Sequence, residues 1–156
     1  MSYVTWFLFI SVDDTIPVDG YLVAWQYYLR HFSGSECSGT VVTVWRRIGE
    51  SYHMIGQTIL TPANVTDQGP RFQCVHNQVI RVKKGDHLGT YTTVQGCWNV
   101  ISATDTGGWR RFSDGPFNGD RQVLDSPRNE TGTNSIIKRD FALRAFVAGL
   151  VFQFSY

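Results

Sequence analysis

The sequence predicts an all-β chain: an antiparallel two-sheet sandwich, jelly-roll-like, of about eight strands plus one long ordered loop. Short aromatic or β-branched runs recur from end to end, each bounded by Gly, Asp, Asn or Pro. Ten Asp stand against three Glu, a bias towards turns and away from helices. No stretch carries sustained helical periodicity with a convincing cap.

The elements follow in order. Tyr3 to Ser11 reads as a first strand rather than a signal segment, because it lacks a basic flank and a small-residue cleavage site. Asp13-Asp14 and Pro17 to Gly20 turn the chain into a second strand, Tyr21 to Leu29. Period-two alternation there puts Val23, Trp25, Tyr27 and Leu29 on one face. After a Gly/Ser loop, Thr40 to Ile48 and Tyr52 to Leu60 form the clearest hairpin, turning at Ile48-Gly49-Glu50-Ser51. A fifth strand runs from Arg71 to Val82. Lys84-Gly85-Asp86 is a tight turn, since Gly and Asp tolerate positive φ. His87 to Val94 and Cys97 to Ala103 are strands six and seven. Asp140 to Val147 is the last, with Phe141, Leu143, Ala145 and Val147 on one face. Gly149 marks a bulge before Leu150 to Tyr156 resume the alternation.

Residues 104–139 break the pattern. The stretch holds five of the fifteen Gly and little alternation, but its aromatic content argues against disorder. It is expected to be an ordered loop packed on a sheet or a neighbour.

The chain has 156 residues, one ordinary domain able to bury a core without staples. Aromatics are 14% and charged residues only 17%, so some apolar surface is expected to be covered by a partner or ligand. The net charge of +1 and the absence of a basic stripe argue against nucleic-acid binding. No run is long enough to cross a bilayer as a helix.

Three cysteines, Cys37, Cys74 and Cys97, allow one bridge and a leftover thiol. Cys74 and Cys97 are the candidate pair, with Cys37 left to meet another chain; three reduced thiols is the competing reading. Asn64 and Asn129 head two glycosylation sequons in turn-rich stretches.

Catalytic signatures are missing: no nucleophile elbow, no zinc-binding His pair, no phosphate loop and no Glu beside an Asp in sequence. The four histidines are scattered, and no cofactor is expected. Asp114, Asn118 and Asp120 offer oxygen ligands for Ca²⁺, but consecutive turns explain them better. Trp109, Arg110, Arg111, Phe112, Phe117 and Arg121 are the strongest candidates for contact with a protein partner or a sugar, with core packing as the third reading. Trp25 and Trp45, inside strands, are expected in the core or on a sheet face. The aromatic, nearly uncharged ends of the chain are candidates for strand addition in an oligomer.

A chain of motifs runs through this pattern: Gly20, Leu22, Trp25 and Tyr28; Val44-Trp45-Arg46; Gly56-Gln57; Val82 to Gly89 as Val-x-x-Gly-Asp-x-Leu-Gly; and Arg139 to Ala145 as Arg-x-Phe-x-Leu-Arg-Ala. Over residues 20–147 these resemble a β-sandwich domain of secreted, often multidomain proteins of marine and freshwater invertebrates, especially molluscs. The resemblance implies a sandwich fold and an extracellular setting, and it carries no catalytic residues. The expected function is a non-enzymatic adhesion or matrix module that self-associates into an oligomer or filament. The alternative is a lectin-like carbohydrate binder using residues 109–121.

Overall fold

The computed structural model describes residues 8–27, 30–31, 39–61, 71–75, 78–92, 97–98, 100–103, 108–112, 123–125, 136–137, 139–141 and 143–149. Among these residues the regular elements are all strands, in the order β1 (Leu8–Thr15), β2 (Gly20–Tyr27), β3 (Arg30–His31), β4 (Thr40–Ile48), β5 (Ser51–Ile59), β6 (Arg71–Cys74), β7 (Arg81–Val82) and β8 (His87–Thr92). Then come β9 (Cys97–Trp98), β10 (Val100–Ala103), β11 (Trp109–Phe112), β12 (Val123–Asp125), β13 (Ile136–Ile137), β14 (Arg139–Phe141) and β15 (Leu143–Ala148).

Two antiparallel sheets carry the molecule. The larger has seven strands in the order β12-β5-β4-β8-β1-β11-β13. The smaller runs β15-β2-β6, with β7 also paired to β2. The all-β, sandwich-like class read from the sequence is what the chain adopts. Two short ladders, β10 with β14 and β3 with β9, complete the described pairing.

The layer between the sheets is apolar. Leu22, Trp25 and Tyr27 of β2 meet Val42 and Val44 of β4 and Leu88 of β8, with Ile80 and Val82 in the same cluster. Leu143, Ala145 and Val147 of β15 pack against it, as their alternation predicts. A polar bond crosses the layer: Trp25 Nε1 donates to Thr58 Oγ1 at 3.1 Å, which satisfies a buried indole N–H.

The large sheet is also buried on its other face. Leu8, Ile10, Val41, Trp45, Tyr52, Met54, Tyr91 and Phe112 form a second cluster there. The register explains the division. Leu8 lies opposite both Phe112 and Tyr91, and Val41 lies opposite Tyr91, so these share one face while Val42 and Val44 take the other. Gly89 makes room for a Trp in this core: a Cβ there would come within 2.8 Å of Trp45 Nε1. That indole donates to Thr43 Oγ1 at 2.7 Å.

The turn at Lys83 to Asp86 is tied down by its carboxylate. Gly85 supplies the positive φ of 93°. Asp86 is 2% exposed and accepts from Arg46 Nε and Nη2 at 2.8 Å each, and from the Lys83 backbone N–H at 2.7 Å. Its backbone carbonyl accepts from Ile16 N–H, and Gly85 N–H donates to Ile16 carbonyl, so the end of β1, β4 and the turn meet around Asp86.

Several expectations need correction. The stretch 104–139 is not one ordered loop, for it contributes β11, β12 and β13 to the large sheet. These pieces are too short to show alternation, and their pairing partners are distant in sequence. The single fifth strand splits into β6 and β7, with residues 75 and 78–80 between them belonging to neither. Val23 is exposed and Leu22 is buried, because β2 carries one extra residue between Phe146↔Ala24 and Val147↔Leu22. This bulge breaks the simple period. Cys74 is a free, exposed thiol, and its strand pairs with β2 whereas that of Cys97 pairs with β3, so the Cys74–Cys97 bridge is not formed. Residues 3–7, 28–29 and 150–156 lie outside the described residues, as does Cys37.

Candidate interaction surface

The residues favoured by the sequence are placed on β11, between β1 and β13. Trp109 is 1% exposed and Phe112 is 4% exposed. Phe112 stands edge-on to Tyr52 at 6.1 Å, and Tyr52 edge-on to His87 at 5.5 Å. These two rings are therefore core, and the expectation that both face a ligand or partner is corrected. The reason lies in pairing: β11 is hydrogen-bonded along β1, so its alternate side chains are driven into the faces of a sheet that is covered on both sides. Arg110 is half-buried on the Phe112 side of β11, and among the described residues its Nε has no hydrogen-bond partner. Arg111 is described only as a backbone position on this strand. Phe117, Arg121, Asp114, Asn118, Asp120, Asn64 and Asn129 lie outside the described residues.

What stays open is the outer face of the small sheet. Ala24 of β2 lies between Cys74 of β6 and Phe146 of β15, while Gln26 lies between Phe72 and Arg144. Phe72 and Phe146 lean together across β2, with ring centroids 5.1 Å apart and a tilt of 55°. Ala24, buried beneath this face, has only a methyl, which leaves room for the two rings to meet. Phe72 is nonetheless 60% exposed. Val23, Val79 and Ile59 are further exposed apolar side chains around this sheet and its junction with β5. Beside them runs an open groove of about 610 Å³ walled by Ile59, Phe72, Gln73, Cys74, Val75 and Gln78.

The two edges of this region are treated differently. On one side, amide side chains occupy the outward backbone of β5. Gln73 Nε2 donates to Ile59 carbonyl at 3.0 Å, and Gln78 Nε2 donates to Gln57 carbonyl at 2.6 Å. Gln73 Oε1 accepts from Thr61 N–H at 2.8 Å and from Tyr27 hydroxyl at 3.4 Å. These bonds close a sheet edge that would otherwise offer unpaired groups. On the other side, among the described residues, no strand pairs with β15 on the side away from β2.

Sequence reasoning missed Phe72, Gln73 and Phe146. Phe146 was legible in principle, since it alternates with the inward Leu143, Ala145 and Val147. Phe72 was hidden because β6 is only four residues long.

Titratable chemistry here is structural. Burial pushes the phenols of Tyr27 and Tyr91 above their ordinary range, and Arg71 partly opposes this at Tyr27. A raised phenol binds its proton more tightly in the folded state. Its contribution is fully present below the unfolded phenol pKa of about 10 and is lost as pH rises through the higher folded value. Stability is expected to fall only once pH passes the unfolded phenol value of about 10. Tyrosinate absorbance during an alkaline titration checks this: Tyr91→Phe should remove a late-titrating phenol, whereas loss of an early one contradicts the burial. The His87 ring is held in place, its Nδ1 2.8 Å from the Ser11 carbonyl.

Among the described residues no three His, Cys, Asp or Glu side chains gather as a metal site would require, and no helix is long and apolar enough to cross a membrane. No family model matches the chain, and neither curated proteins nor solved structures show significant similarity to it.

Proposed function

We propose that this chain is a non-enzymatic extracellular adhesion or matrix module that associates with copies of itself. The observation that carries the reading is the outer face of the small sheet, where Phe72 stands exposed against a partly buried Phe146. Apolar surface of this kind on a chain with only 17% charged residues supports contact with another protein. The two sequons at Asn64 and Asn129 and the resemblance to secreted invertebrate sandwich domains support the extracellular setting.

The carbohydrate-binding alternative loses its main support. Sugar recognition by stacking needs an accessible ring face. Trp109 and Phe112 spend theirs inside the large sheet's packing.

Sedimentation velocity over a dilution series tests the proposal. The expected result is a mass at multiples of 17.7 kDa that falls on dilution. A single species of 17.7 kDa at every concentration contradicts it.

A further inference from the structure

We infer that β15 is the self-association edge, and that two copies pair their β15 strands antiparallel about a two-fold axis passing at Ala145. The inference rests on the self-association proposed above and names its surface and register.

Three observations converge on this strand. The first is backbone chemistry. β15 ends the small sheet, and among the described residues it is paired on one side only, by β2. Alternate N–H and C=O groups along six residues therefore point away from the sheet. Exposed edges are usually blunted by proline, by an inward charge or by a covering side chain. Leu143 to Ala148 has neither proline nor inward charge. The contrast with β5 is internal to the molecule: there Gln73 and Gln78 occupy the outward carbonyls.

The second is packing. Leu143, Ala145 and Val147 face the layer between the sheets but are only partly buried. Among the described residues no further strand extends this inward row. A further strand in register would extend the inward row and complete its cover.

The third selects a second copy as the occupant and fixes the register. Antiparallel partners directly opposite each other point to the same face, so in a two-fold pair the axis passes through one residue. With Arg144 on the axis, two guanidiniums of like charge would oppose each other. With Ala145 on the axis, Arg144 stands opposite Phe146 of the second copy, and Leu143 stands opposite its Val147. Arg144 is the strand's one charge and is exposed. This register lays it over an aromatic face on the outer surface, where cation and ring attract. With Phe146 on the axis, that contact is lost and Arg144 meets Ala148. The strand is thus complementary to itself in one register. The paired sheet would run as one eight-segment surface through both copies, with Phe146 of each seated between its own Phe72 and Arg144 of the other copy.

The experiment is cross-linking of the whole chain. Ala145→Cys, oxidised at a concentration where the wild type associates, should give a disulfide-linked dimer, with mass-spectrometric mapping locating the bond between the two residues at position 145. Mapping separates it from any bond through the exposed native Cys74. Arg144→Cys alone should not link to itself, whereas an equal mixture of Arg144→Cys and Phe146→Cys chains should. If Ala145→Cys fails to fold, as judged by circular dichroism, that mixture reads the register on outward-facing positions instead. Wild-type chains that associate while neither variant set links overturn the inference and leave the functional reading standing. Wild-type chains that stay monomeric overturn both.

Discussion

Replacing Asp86 by Ala is expected to lower the unfolding free energy by about 3 kcal/mol, the low end of what breaking a buried ion pair costs. The low end applies because Arg46 retains 29% side-chain exposure and regains some water. The carboxylate itself is the buried member and holds three donors: Arg46 through two nitrogens, and the Lys83 backbone N–H. Removing it orphans that N–H inside the turn and loosens the joint between β1, β4 and β8. For a chain of this size the loss corresponds to a fall in Tm of about 10 °C. Calorimetry or urea unfolding measures it. Asp86→Asn should keep part of the turn but not the bidentate pair, and so fall between the two. A loss below about 1 kcal/mol would make this an ordinary surface pair and contradict the role assigned to it.

Trp109→Ala is expected to cost about 3–5 kcal/mol, the range for removing a buried Trp side chain. The pairing of Trp109 with Ser11 and with Ile137 places it mid-sheet, and its ring is almost fully removed from water. Trp109→Phe should cost less, since a ring still fills most of the space. Denaturant midpoints with unchanged m-values decide the matter. A Trp109→Ala protein as stable as wild type would return this ring to the surface and reopen the carbohydrate reading.

The contrast between these two sites shows what sequence could and could not convey. The β4–β5 hairpin was legible because alternation, length and the Gly49-Glu50 turn agree over a continuous stretch. The Gly85-Asp86 turn was legible for the same reason, although the Arg46 partner forty residues away was not. Trp109-Arg110-Arg111-Phe112 misled because four residues cannot display a period, and large rings beside arginines fit a binding loop as well as a strand. Only the pairing to β1 assigns their faces. The Val23 bulge was invisible because it depends on where β15 shifts register. The open face of the small sheet was missed for a related reason. Phe72 and Phe146 are far apart in sequence, and only the β6-β2-β15 order brings their rings together.

The division of aromatics follows from that order: Trp25, Trp45 and Trp109 are spent on the interior, and Phe72 with Phe146 is left for another molecule. Sedimentation velocity of a Phe72→Ser, Phe146→Ser double variant beside wild type tests this most directly. Association should weaken by at least about tenfold, roughly 1.4 kcal/mol, while circular dichroism stays that of the native sheet. Equal association of the folded variant and the wild type would mean that copies meet elsewhere, and the outer face of the small sheet would lose its assigned role.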